Sequence, residues 1–121
     1  MALRRVLRLL FWGAAIFAFV MAILPKPPHL PTDPPDKIQH IIAFLTLAGL
    51  AGAAYPRASL VRIGVALSAF GAVIEIVQAV PMLHRDSELL DWAADTAAAA
   101  LMLLLWALVR ARRTKMREWR E

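Results

Sequence analysis

Four apolar runs, at residues 7–24, 38–55, 61–80 and 88–109, dominate this 121-residue chain. Each is long enough to cross a hydrocarbon core of about 30 Å, which takes about 20 helical residues at a rise of about 1.5 Å each. In lipid there is no water to bond the backbone. A spanning segment must therefore satisfy its own N–H and C=O groups, and a single segment does so only as a helix. The runs predict an all-α fold, a four-transmembrane-helix bundle formed as one unit over residues 1–109. Hydrophobic residues make up 60% of the chain, which excludes an ordinary soluble domain. Cysteine is absent, so disulfides, thiolate metal sites and cysteine nucleophiles are excluded as well.

The net charge of +5 does not point to nucleic acid, because of where the basic residues lie. Arg4, Arg5 and Arg8 open the first run, Arg57 and Arg62 sit between the second and third, and Arg110 begins a basic tail over residues 110–121. With four spans the two termini share one side. Placing them in the cytoplasm puts 11 of the 14 Lys and Arg inside, as the positive-inside rule prefers. The expectation is a multi-pass protein of a cell membrane, of the bacterial inner-membrane kind, with N- and C-termini cytoplasmic. The tail is basic and amphipathic enough to lie on an anionic leaflet. A secretory signal would also open on arginines and an apolar run. Here Pro25-Lys26-Pro27-Pro28 stands where a cleavage site needs small residues, so a retained helix is expected. The proline-rich segment 25–36 cannot be helical and reads as a stiff extramembrane loop ending in Asp36, a good N-cap.

Polar residues are few and unevenly placed. Glu75, Gln78, His84, Arg85, Asp86, Glu88, Asp91 and Asp95 all fall in one stretch around the third connection. A carboxylate inside a membrane helix costs about 2.5–3.5 kcal/mol on insertion scales, so it normally faces the bundle interior. In the third run Gly64, Ser68, Gly71, Glu75 and Gln78 share a helical face; in the fourth Asp91, Asp95, Ala98 and Met102 do so, with Thr96 beside them. Small residues at Gly49 and Ala53, and at Ala48 and Gly52, allow close helix approach. His40, Glu75 and Asp95 lie at overlapping depths, which predicts one polar layer just below the outer surface. Its charges should compensate one another, with Glu75, Asp91 and Asp95 gathered around Arg85 and His40.

Asp36-Lys37-x-x-His40 opens the second span, Glu75-x-x-Gln78 closes the third, and Arg85-x-x-Glu88-x-x-Asp91-x-x-x-Asp95 opens the last. In order and spacing this set resembles the VanZ-like family of small membrane proteins, named for a component linked to low-level teicoplanin resistance. The resemblance spans roughly residues 36–105 and implies a cell-envelope setting and a link to glycopeptide antibiotic tolerance. Two positions depart from the family's usual pattern. Asp95 stands in place of Asn, adding a charge, and Ala98 in place of Gly, which should tighten packing.

Each polar residue also has a purely structural reading. Asp36 can be only a helix cap, Lys37 an interface anchor, and Glu75 a partner for Arg85 or Lys37. His84 and His29 read as solvated loop residues, and Trp12, Trp92, Trp106 and Trp119 as interface anchors. The functional reading is a pocket opening to the outer face that binds or acts on a lipid-linked or cell-envelope substrate. Glu75, His40 and Asp91 are its candidate proton-transfer groups, and Lys37, Arg85, Gln78, Asp36 and Asp95 its candidate binding groups, the cations meeting an anionic headgroup. The alternative is a non-catalytic module that binds a lipid or a partner membrane protein. A transporter would need a broken span that these runs lack. No cofactor is expected. A metal held by His40, Glu75, Asp91 and Asp95 is chemically allowed, but the set is poor in nitrogen ligands, so none is assigned. The lipid bilayer is the expected partner, and nucleic acid is not one.

Overall fold

The computed structural model describes residues 2–25, 36–80 and 89–121. Helix α1 spans Ala2–Ile23, α2 Asp36–Ala54, α3 Leu60–Gln78 and α4 Leu89–Glu118. All four are long and apolar enough to cross a membrane, and no strand occurs among the described residues. The expected runs and the observed helices coincide in number and order. Their ends differ at two places. α1 starts at Ala2, so Arg4, Arg5 and Arg8 are helical, and α4 does not stop near Val109 but continues unbroken to Glu118. Its 30 residues reach about 45 Å, roughly 15 Å more than a bilayer core. The excess is the exposed, arginine-rich last turns. The proline-rich loop, and with it His29, lies outside the described residues, as does the segment 81–88 with His84, Arg85, Asp86 and Glu88.

Pro56 closes α2, and Ser59 opens α3 as an N-cap whose Oγ accepts from the Arg62 backbone N–H. The bundle is centred on α2. Its most extensive contact is with α4, α3 closes the other side of α4, and α1 lies mainly along α2. Phe44, Leu47, Ala48 and Ala51 of α2 are buried with Ile63, Leu67 and Ile74 of α3 and Ala98, Ala99 and Leu103 of α4. The outside is apolar too. Leu9, Ile16 and Phe17 of α1, Val61, Val65 and Ile76 of α3, and Leu101, Leu104 and Leu108 of α4 all point outward. A protein in water would not present so continuous an apolar surface, but one in lipid must.

The small residues pack in a way their spacing did not reveal. The glycines of α2 and α3 receive large side chains. A Cβ on Gly52 would collide with the Trp106 indole, reaching within 2.7 Å of its Cε2, so the ring takes the space a side chain would fill beside α2. The Trp106 N–H donates to the Gly49 carbonyl at 3.1 Å. The space above Gly49 is filled by Met102, that at Gly64 by Leu103, and that at Gly71 by Phe44 and Trp92. Trp92 in turn donates to the Ser68 carbonyl at 3.0 Å. Trp92 and Trp106 are therefore helix-to-helix donors; half-buried indoles keep their N–H groups bonded by using backbone carbonyls. Trp119 remains exposed, and Trp12, also exposed, donates to the Tyr55 hydroxyl.

At the end of the bundle where α2 stops, its last carbonyls lack helical partners. Arginines supply them. Arg8 Nε donates to the Ala54 carbonyl and its guanidinium lies 4.8 Å from the centre of the Tyr55 ring. Arg110 donates to Ala58 at 2.8 Å and to Tyr55 at 3.2 Å, with a longer contact to Gly52. Positive charge at a helix C-terminus also complements the helix dipole. The residue that opens the basic tail is thus a clamp on the α2–α3 turn.

Candidate functional site

Glu75, Asp91 and Asp95 lie toward the opposite end of the bundle from those arginines. His40 lies one turn into α2, Glu75 one turn before the end of α3, and Asp95 almost two turns into α4. A helix carries residues three and four apart on the same face, so Gly71, Glu75 and Gln78 turn inward together. Asp95 turns inward with Ala98 and Ala99. The absence of a side chain at Gly71 makes room for Asp95: a Cβ there would sit 3.6 Å from its Oδ2.

The result is a cluster from three helices. Ligand-competent atoms of His40, Glu75 and Asp95 all lie within 4.8 Å of one another. Asp95 has no solvent exposure and Glu75 only 8%. The His40 side chain keeps 16% and is the member nearest the outside. Its Nδ1 stands 3.4 Å from Asp95 Oδ2, at the long limit of a hydrogen bond. The other Asp95 oxygen, Oδ1, is buried with no hydrogen-bond partner among the described residues. Buried carboxylate oxygens are almost always bonded, so this is the site's most unusual feature.

A groove of about 530 Å³ runs between α1 and α2 beside the cluster. Phe17, Ala18 and Met21 form one wall and Ala43 and Leu47 the other, with Gln39, His40 and Thr46 as its polar part. Neither Glu75 nor Asp95 lines it. His40 is the residue shared by groove and cluster, bonded inward through Nδ1 and reachable from outside.

The other expected site residues divide. Gln78 is buried with its amide committed to α1, donating to the Ala22 carbonyl at 3.0 Å; it ties two helices together. Lys37 is exposed at the start of α2, and Asp91 is half-buried one turn before Asp95, outside the three-residue cluster. Asp36 is the first residue of α2, its side chain outside the described residues. Arg85, expected at the centre of the network, lies outside them too. Two polar contacts below the cluster were not foreseen as a pair: the Ser68 and Thr96 hydroxyls meet at 3.0 Å, joining α3 to α4. The Gln78 tether was likewise not legible, because α1 carries no polar side chain at that depth to suggest a partner. Its acceptor is backbone.

No family model matches the chain, and neither a curated protein nor a solved structure matches it. What fold and site define is a class: an all-helical protein with four helices long and apolar enough for a membrane, holding an imidazole and two carboxylates inside its bundle.

Proposed function

We propose that this protein sits in a bacterial cell membrane with both termini cytoplasmic, and that it binds or acts on a lipid-linked cell-envelope substrate. The orientation rests on the basic residues, 11 of 14 of which fall on the side of the termini. The carrying observation for the site is the position of His40, which lines a groove open to lipid and bonds the buried Asp95. A polyisoprenoid or acyl chain would lie between α1 and α2, with its phosphate at His40 and with Lys37 and Arg85 as cations on the same side. The His40–Asp95 pair can hold and reorient a proton for a phosphate oxygen, as a carboxylate-oriented imidazole does elsewhere. The resemblance to the VanZ-like family supports an envelope setting and a contribution to glycopeptide antibiotic tolerance.

The non-catalytic reading, a module that binds a lipid or a partner membrane protein, has one observation in its favour. Of the candidate groups among the described residues only His40 reaches the groove, while Glu75 and Asp95 are buried behind it. One experiment addresses both readings: native mass spectrometry of the detergent-purified protein with undecaprenyl phosphate and, separately, phosphatidylcholine. The expected result is preferential retention of the polyprenyl phosphate, lost in Ala43→Trp, which fills the groove. Equal retention of both lipids, or no effect of the groove variant, would refute the reading. If binding holds, Glu75→Gln separates the two versions. Loss of a teicoplanin-tolerance phenotype with binding intact supports chemistry, and a surviving phenotype supports the binding module.

A further inference from the structure

We infer that His40, Glu75 and Asp95 form a binding site for one divalent transition-metal cation, of the Zn²⁺ or Mn²⁺ type. The inference deepens the reading given above: the ion would replace the His40–Asp95 hydrogen bond in orienting the imidazole at Nδ1, leaving Nε2 as the nitrogen for the phosphate. It stands on three observations. The first is the donor set. One imidazole nitrogen and two carboxylates, contributed by three separate helices, are what intermediate divalent cations accept, and three protein ligands leave a coordination position open. The second is spacing. Two ligands held about 2.1 Å from a tetrahedral ion lie about 3.4 Å apart. His40 Nδ1 and Asp95 Oδ2 are separated by 3.4 Å, long for a hydrogen bond and right for two ligands of one ion. The widest separation in the trio, up to 4.8 Å, closes to that value with a movement of about 1.4 Å, within reach of a glutamate rotamer.

The third observation is independent of the trio's composition. Asp95 is wholly buried, and its Oδ1 accepts no hydrogen bond among the described residues. The same carboxylate offers an oxygen within 4.8 Å of both other ligand atoms. A fully desolvated carboxylate oxygen left in this state is costly, and a cation bound by that carboxylate removes the cost directly. The ligand chemistry depends on the carboxylate, because an amide at this position would be a far weaker ligand. An ion here would also place positive charge behind His40, on the side away from the groove. That charge would draw a phosphate toward the imidazole.

The test uses the full chain in detergent, stripped with chelator, reloaded with ZnCl₂ or MnCl₂ alone and freed of excess by gel filtration. Elemental analysis should find one metal per wild-type chain. Asp95→Asn, close to isosteric, and His40→Ala should each weaken binding roughly tenfold or more. His29→Ala and His84→Ala should leave it unchanged. Because a variant can fail to fold, the wild type is also loaded with Co²⁺. Intense visible bands of a four- or five-coordinate ion are expected, and a spectrum like that of the aqueous ion would overturn the site. So would wild-type protein without metal, or full metal content in Asp95→Asn. The two proposals fail separately: lipid retention without any metal rejects the ion alone, and metal content without lipid preference rejects the lipid reading alone.

Discussion

Gly49 and Gly52 lie three residues apart on α2, and alanine substitution at the two should have opposite effects. In a helix interior Gly→Ala is worth about 1 kcal/mol in intrinsic propensity. At Gly49 nothing opposes that gain. The new Cβ would meet only Met102, at 3.8–3.9 Å, which is ordinary contact with a flexible side chain. Gly49→Ala should therefore be neutral or stabilise by up to about 1 kcal/mol. At Gly52 the same methyl falls inside the Trp106 ring. The indole must move, which costs about 1–3 kcal/mol as overpacking. Moving it also breaks the bond from its N–H to the Gly49 carbonyl, a further 0.5–1.5 kcal/mol or about that. Set against the propensity gain, Gly52→Ala should destabilise by about 0.5–3.5 kcal/mol. Thermal unfolding in one detergent, followed by fluorescence-detected size exclusion, reads the difference; roughly 4 °C per kcal/mol gives a gap of several degrees. Adding Trp106→Phe should return part of the loss in Gly52→Ala, since the smaller ring relieves the collision. If Gly52→Ala melts at or above Gly49→Ala, the close approach of α4 to α2 described here is wrong.

Arg110→Ala should lower the melting temperature by removing charge-assisted bonds worth about 1.5–3 kcal/mol each at the α2–α3 turn, and Arg110→Lys should restore only part, since one ammonium cannot reach both Ala58 and Tyr55 as a guanidinium does. Unchanged melting of Arg110→Ala would show the clamp to be idle. Ala98→Leu, placing a large side chain where α4 is buried, should destabilise by about 1–3 kcal/mol in the same assay; wild-type behaviour would count against the packing of α4. Gln78→Leu should loosen α1, seen as faster proteolysis of residues 2–25 with the remaining bundle protected, and equal protection of both would rule out the tether. Arg85→Ala should reduce insertion or stability, and Glu75→Gln added to it should recover part; a double variant worse than the single would dismiss the charge-compensation argument.

Hydropathy alone determined that this chain carries four helices long and apolar enough to cross a membrane, because the free energy of placing a segment in lipid is nearly additive along it. The same additivity made the exceptions visible: Glu75 and Asp95 stood out as residues that must face inward, and His40 matched them in depth. Turning Asp95 inward also turns Trp92 and Trp106 toward the bundle, because they lie on the same side of α4. Sequence could not decide which groups those indoles would meet, since lipid is as apolar as a protein core and hydropathy ranks no neighbour above another. Packing and hydrogen bonds decided that, placing Trp106 against Gly52 and bonding Trp92 to the Ser68 carbonyl. Backbone acceptors explain the other gaps. Arg110 and Gln78 bond to carbonyls, and a carbonyl has no letter in a sequence. The tertiary structure alone brought His40 to Asp95 across helices and opened a groove beside it, because both depend on the crossing of α1, α2 and α4 and on no single segment.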